Sequence, residues 1–163
     1  MKRWIILLVI VFLLTGCSNE LDFESVQDVY APQELTASAC LAVSLPEAEH
    51  TELELDGAKL CVYEDFEVMI LTLPSGNLDA TLQEISGYDA SELTVMNTVE
   101  GVNRRYDTIW ASAGEGGDLV GRATVIDDGC FHYVIAVMAK AENAGSLTED
   151  WNQLFSSVSL EVY

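Results

Sequence analysis

The feature that most constrains the fold is a run of short apolar segments with a two-residue period, which begins at Ser38. Side chains that alternate in this way lie on opposite faces of a strand. The predicted strands are residues 38–45, 52–55, 58–63, 66–73, 93–99, 104–112, 119–126 and 131–139. Glycine-containing turns such as Asp56-Gly57 separate consecutive strands. These turns favour hairpins and therefore an antiparallel sheet.

One segment between the strands has the period of an amphipathic helix. Asn77 can accept a hydrogen bond as a helix N-cap, and Gly87 can end the helix. Between them Leu78, Leu82 and Ile85 fall on one face. We therefore predict a short helix inserted into the sheet sequence.

A second amphipathic segment lies near the C-terminus. Ser146 and Glu149 have the spacing of a capping box. An apolar stripe follows, formed by Leu147, Trp151, Leu154, Phe155 and Val158. We expect this stripe to be core rather than a partner-binding groove, because one apolar face of a surface helix normally packs on the sheet.

The strands and helices together predict a single α+β domain, residues 38–163, in which one antiparallel sheet is covered on its faces by the inserted helix and the C-terminal helix. The order of elements, with the closing stretch from Phe131 to Leu160, resembles the PsbP-like group. The resemblance covers roughly residues 38–162 as architecture and includes no diagnostic motif. It implies a non-catalytic binding or assembly factor, and it transfers no site residues.

The N-terminus has the three zones of a signal peptide, which we place at residues 1–16. Lys2 and Arg3 precede an apolar run from Trp4 to Leu14. As a helix this run spans about 16 Å, which is short against a hydrocarbon core of about 30 Å. A signal peptide is therefore favoured over a transmembrane anchor.

The tetrapeptide Leu14-Thr15-Gly16-Cys17 resembles the lipobox of bacterial prolipoproteins. The resemblance implies that the Cys17 thiol carries a diacylglyceryl group, that the chain is cut before Cys17, and that the lipid holds the protein at the cell membrane on the extracytoplasmic side. Residues 17–37 are acidic after the cysteine and are expected to form a tether. A short helix packed on the domain, within residues 21–30, is the alternative.

The charge of the chain excludes one class of partner. The formal net charge is −20, and loss of Lys2 and Arg3 with the signal peptide makes it more negative by two. Such a field repels phosphate backbones, so we expect no nucleic-acid binding. The expected partners are the membrane, through Cys17, and an envelope protein or small ligand.

Cysteine and histidine are the remaining candidates for chemistry. If the first strand neighbours the third, Cys40 and Cys61 can form a disulfide; buried free thiols are the alternative. Cys61, Cys130 and His132 lack the spacing of a metal site, so we expect no metal and no cofactor.

The sequence also contains no nucleophile motif. The leading hypothesis is a non-catalytic binding domain with an uncovered aromatic patch, formed by residues such as Tyr106, Trp110 or Tyr133. A structural envelope protein without a small-molecule site, and an enzyme with an unrecognised site around His132, are the alternatives.

Overall fold

The computed structural model describes residues 36–55, 57–113 and 117–163. This part of the chain belongs to one compact unit, residues 35–163, which has its own core. The predicted signal peptide, Cys17 and nearly all of the tether lie outside the described residues. None of the described helices is long and apolar enough to span a bilayer.

Most of the described strands form one antiparallel sheet of seven strands. Their bounds are β2 (Thr51–Leu55), β3 (Ala58–Val62), β4 (Phe66–Pro74), β5 (Thr94–Glu100), β6 (Asn103–Ser112), β7 (Leu119–Asp127) and β8 (Phe131–Lys140). The order across the sheet is β2-β3-β4-β8-β7-β6-β5. Two hairpin meanders therefore meet where β4 pairs with β8. The turns in the sequence predicted the hairpins, and the structure adds the β4–β8 pairing.

A separate two-stranded sheet is the main difference from the predicted single sheet. It pairs β1 (Ala39–Ala42) with β9 (Ser159–Val162), and Cys40 lies opposite Glu161. The first strand therefore does not neighbour the third, and the premise of the Cys40–Cys61 disulfide was wrong. Both residues are free thiols in the structure. The strand β9 follows the C-terminal helix directly, so its partner could not be read from a hairpin turn.

The inserted helix α1 (Leu78–Ser86) has the predicted caps. The side chain of Asn77 accepts from the Asp79 N–H at 3.0 Å. Gly87 ends the helix in the left-handed region with φ of 78°, where its N–H donates to the Gln83 carbonyl. Leu82 is buried on the predicted face. A short 3₁₀ turn, Ala90–Glu92, then leads into β5.

The C-terminal helix α2 (Ala144–Ser157) begins earlier than the capping box predicted. Ser146 lies inside the first turn, and its hydroxyl donates to the Asn143 carbonyl at 2.8 Å. The Ser146–Glu149 capping box was therefore wrong. The predicted apolar stripe of Leu147, Trp151, Leu154, Phe155 and Val158 is buried, as expected.

The two helices lie on opposite faces of the sheet, and β8 contributes to both layers. Its residues Tyr133, Ile135 and Val137 pack in the cluster that contains the α2 stripe. The alternate residues Val134 and Ala136 pack with Leu82 and Ile85 of α1. A strand covered on both faces needs a continuous apolar sequence, and β8 has one. The α+β architecture with two covering helices is therefore confirmed.

Candidate functional site

A largely apolar concave surface lies beside α2, where this helix leaves the neighbouring strands β6 and β7 uncovered. We call it the α2 cleft. It has a volume of about 610 Å³ and is lined by residues 109–111 of β6, residues 120–122 of β7, and Ala144, Thr148, Trp151 and Asn152 of α2. This volume is within the range of small-molecule sites, roughly 300–1,000 Å³.

The cleft continues toward the edge of the sheet. A second cavity of about 350 Å³ shares Ile109 and Arg122 with the α2 cleft and extends to Thr94 and Met96 of the edge strand β5. Ile109 is 67% exposed and Met96 is 64% exposed. Cross-strand pairing places both on the same face of the sheet as α2, because Met96 lies opposite Asp107 and Ile109 lies opposite Arg122. The result is an apolar surface that α2 does not cover.

Arg122 is the charged group of the α2 cleft. Its guanidinium lies over the ring of Phe155, 4.2 Å from the centroid, and donates to the Asn152 side-chain oxygen at 3.0 Å. Burial lowers the pKa of the guanidinium from its ordinary value, and the group stays charged. Within the described part of the chain it forms no salt bridge. Arginine has five N–H donors, so some remain for a ligand.

Trp151 supplies a second donor in the same wall. Its indole Nε1 is buried, and no acceptor for it exists among the described residues. A buried donor without a partner costs roughly 1–3 kcal/mol, and such groups are rare in native structures. An acceptor brought by a ligand would remove this cost.

A polar network below the cleft joins β6 to α2. Arg105 donates to both carboxylate oxygens of Asp107, and Thr124 donates to Asp107 at 2.5 Å. The Arg105 Nη2 also donates to the Phe155 carbonyl at 3.1 Å. Because α2 has no basic residue in its own last turn, Arg105 provides the positive charge that favours a helix C-terminus. This network fixes the helix against the strands that form the cleft.

Gly121 controls the packing of Trp110 on the α1 face of the sheet, behind the cleft. It lies opposite Trp110 in the β6–β7 pair, and a Cβ at this position would overlap the Trp110 indole ring. Glycine inside a strand is a sequence sign of a close approach. Gly121 was therefore a signal that the sequence alone could have provided.

The predicted aromatic patch does not exist as a surface. Tyr106 and Trp110 are 9% exposed, and Tyr133 is fully buried, with its hydroxyl donating to Asp128 at 2.9 Å. This expectation was wrong because all three side chains point into the layers between sheet and helices. The exposed apolar residues of the cleft, Ile109 and Met96, replace them.

The possible metal ligands of the sequence, Cys61, Cys130 and His132, lie in different parts of the fold. His132 is 2% exposed, and its Nδ1 forms a 2.8 Å hydrogen bond with the Thr81 hydroxyl of α1. Cys130 is exposed in a turn, and Cys61 is buried in the opposite layer. His132 is thus a buried strand residue, and neither cavity described above is lined by it.

A different set of metal-type side chains does come together, at the other edge of the sheet. We call His50, Glu52 and Cys61 the hairpin cluster. Their ligand-type atoms all lie within 4.8 Å of one another. Sequence reasoning missed this cluster, although the Asp56-Gly57 turn was a usable signal: a two-residue turn at this position pairs Glu52 with Cys61, as observed.

The three comparisons with known proteins give one motif and several distant structural similarities. The family model of the prokaryotic membrane lipoprotein lipid attachment site matches residues 1–18, which include Cys17. No curated protein matches the chain.

Three solved structures are similar in outline, each with a TM-score of 0.49. A protein from Bacteroides thetaiotaomicron is 14% identical, and the match covers 76% of this chain and 45% of that protein. LpqN from Mycobacterium tuberculosis is 10% identical, and the match covers 78% of this chain and 87% of LpqN. A cyanobacterial PsbP from Synechocystis is 10% identical, and the match covers 80% of this chain and 96% of that protein. This chain thus covers less than half of the first of these proteins. The LpqN structure is described as involved in cell envelope biogenesis.

The α+β fold is established by the helices and strands of this chain itself. The lipid attachment motif is the finding that bears on function. Residues 1–18 match the model of that motif, and Cys17 is the one cysteine among them. The chain therefore carries the attachment site of a prokaryotic membrane lipoprotein, and the motif implies a membrane-anchored protein.

Proposed function

We propose that this lipoprotein is a non-catalytic binding protein, held on the extracytoplasmic side of the membrane by lipid on Cys17, whose α2 cleft takes a small amphipathic molecule. The ligand has an apolar body and a head that accepts hydrogen bonds, such as a carboxylate. The single observation that carries the proposal is the pairing of an apolar cavity of about 610 Å³ with two donor side chains of its lining, Arg122 and Trp151, of which the Trp151 Nε1 has no acceptor among the described residues.

The chemistry of the wall supports this ligand class. Ile109, Val120 and Trp151 offer apolar surface, and Arg122 and Trp151 also carry N–H donors. Small-molecule sites commonly combine a mostly apolar lining with a few polar groups that fix the orientation of the ligand. The lining of the α2 cleft itself includes no histidine, cysteine or carboxylate, and in the cavity that continues it the one carboxylate is Asp107, which accepts hydrogen bonds from Arg105 and Thr124. This supports binding over catalysis, since histidine, cysteine and free carboxylate groups are among those that general acid–base chemistry most often uses.

The tryptophans of the chain provide a direct assay. Once the signal peptide with Trp4 is removed, the remaining tryptophans are Trp110 and Trp151, and both line the α2 cleft. We expect decanoate to change the intrinsic fluorescence of residues 18–163 with a saturable curve. Decyltrimethylammonium, which has the same chain and a cationic head, serves as the matched probe and should bind at least about tenfold more weakly, because it offers no acceptor.

Two variants complete the test. Arg122→Met retains an apolar stem and removes the donors, and it should weaken decanoate binding about tenfold or more. Val102→Gln changes an apolar residue that is 94% exposed and outside the cleft, and it should leave binding unchanged. Equal binding of the two probes, or no saturable change with either, would count against the proposed ligand class.

A further inference from the structure

The hairpin cluster is built by the pairing of the edge strand β2 with β3. Glu52 lies directly opposite Cys61 in the register. His50 is two residues before Glu52 and therefore projects from the same face. The His50 Nε2 and Glu52 Oε1 atoms are 3.3 Å apart, and the ligand-type atom of Cys61 is within 4.8 Å of both. One nitrogen, one oxygen and one sulfur thus converge on one point.

The His50 ring is held in a ligating orientation from two sides. Its Nδ1 is 3.0 Å from the Ala48 carbonyl, and since a carbonyl can only accept, Nδ1 carries the proton. The Tyr63 ring stacks on the imidazole with centroids 4.7 Å apart. These contacts leave Nε2 directed toward Glu52. Metal-binding histidines typically donate their second N–H to a carbonyl or carboxylate in this way.

The His50 Nε2 and the Glu52 carboxylate face each other, and a cation between these two acceptors would stabilise the arrangement. When Nε2 is unprotonated, its lone pair faces the Glu52 carboxylate at 3.3 Å, which is repulsive. A proton on Nε2 is one cation that removes this repulsion, because Nε2 would then donate to the carboxylate. A metal ion is the other, and Cys61 adds a ligand that a proton would not require.

Lys59 is a cation that already binds Glu52, so it would compete with a metal ion for this carboxylate. Its Nζ is 2.7 Å from the Glu52 Oε1. The same oxygen also faces the His50 Nε2. A carboxylate has two oxygens with about four acceptor sites, so Lys59 can keep one site of Oε1 while a metal ion binds another acceptor site of Glu52. Lys59 also offsets part of the negative charge that a thiolate and a carboxylate would bring together.

We propose that the hairpin cluster is a binding site for a divalent transition-metal ion of the Zn²⁺ type, with His50, Glu52 and Cys61 as ligands and water in the fourth position. Nitrogen, thiolate sulfur and carboxylate oxygen are the ligands that Zn²⁺ takes in proteins, at roughly 2.0–2.3 Å. Tetrahedral bonds of that length put ligand atoms roughly 3.5 Å apart. The cluster therefore needs to contract by about 1 Å at its widest separation.

Metal binding exchanges a proton for the ion. The S–H bond of Cys61 breaks, a metal–sulfur bond forms, and the proton leaves to solvent. Because the ion displaces this proton, binding strengthens as the pH rises. No change of oxidation state is involved. The bound ion would join β3 to β2 and to the residue that precedes β2, which stabilises this edge of the sheet.

Cobalt(II) absorption tests the site directly, because a Co²⁺–thiolate bond gives a near-ultraviolet charge-transfer band. We expect residues 18–163, which contain the whole compact unit, to develop this band with one equivalent of Co²⁺ and to lose it when Zn²⁺ is added. Zn²⁺ should also raise the melting temperature. Cys61→Ser should abolish the band, and Cys130→Ser, which changes an exposed thiol outside the cluster, should leave it intact.

His50→Gln keeps the test decisive if the buried Cys61 variant fails to fold. The His50 side chain is 23% exposed, so this variant should retain the parent fold by circular dichroism and bind Co²⁺ at least about tenfold more weakly. The proposal is overturned if no thiolate band forms, if the band is lost in Cys130→Ser, or if folded His50→Gln binds Co²⁺ as the parent does.

Discussion

Phe155 joins the α2 cleft to the core, so its replacement by alanine tests the packing described above. The side chain is 1% exposed and belongs to the cluster between α2 and the sheet. An aromatic side chain buries roughly 150–250 Å², which at about 25 cal/mol per Å² corresponds to about 4–6 kcal/mol. Measured Phe→Ala changes in cores cost about 3–5 kcal/mol. We expect Phe155→Ala to lower the free energy of unfolding by about 4 kcal/mol.

Part of this loss involves Arg122, whose guanidinium lies 4.2 Å from the Phe155 centroid. A contact of this kind contributes about 0.5–2 kcal/mol. A double-mutant cycle with Arg122→Met should therefore give a coupling energy of that size between the two side chains. The magnitude distinguishes a cation–π contact from simple proximity, for which the two changes would be additive.

Urea unfolding of residues 18–163, followed by circular dichroism, measures both quantities. Domains of this size are stable by about 5–15 kcal/mol, so the variant should unfold at a much lower urea concentration or be partly unfolded in buffer. Ser156→Ala, at the exposed neighbouring position of α2, is the matched control and should change stability by less than about 0.5 kcal/mol. A loss below about 1 kcal/mol for Phe155→Ala would refute the packing of α2 on the sheet.

Three further predictions follow from the motif and the core. Cys17→Ser should leave an uncut precursor without lipid, whereas mass spectrometry that finds an unmodified Cys17 in the mature chain would contradict lipidation. Gly121→Ala should destabilise the domain by about 1–3 kcal/mol, because its Cβ would overlap a buried indole; Gly145→Ala, whose Cβ meets no atom within 4 Å, should not destabilise it. Burial raises the pKa of Tyr133 from 10.0 to about 12, so the free energy of unfolding should fall as the pH rises through this interval, where the unfolded state ionises first. In Tyr133→Phe that alkaline decline, measured by urea midpoints, should be smaller.

The sequence by itself determined the elements whose signals are local. Asn77 and Gly87 mark the two ends of α1 because a cap needs only neighbouring backbone groups. The stripe from Leu147 to Val158 identified the buried face of α2 because its period is a property of the helix alone. The lipid attachment motif is also a contiguous segment and requires no fold.

Only the tertiary structure decided which distant segments meet. Cys40 lies opposite Glu161 because β1 pairs with the last strand, and no local pattern records a contact between the two ends of a domain. The α2 cleft exists because α2 leaves part of β6 and β7 uncovered, so Ile109 remains 67% exposed although it is a large apolar residue inside a strand. The hairpin cluster lies between these cases: a two-residue turn sets Cys61 opposite Glu52, but the approach of His50 depends on the Tyr63 ring and the Ala48 carbonyl. Hydrophobic periodicity specifies which face is buried, whereas the position of a cleft depends on where each helix ends on the sheet.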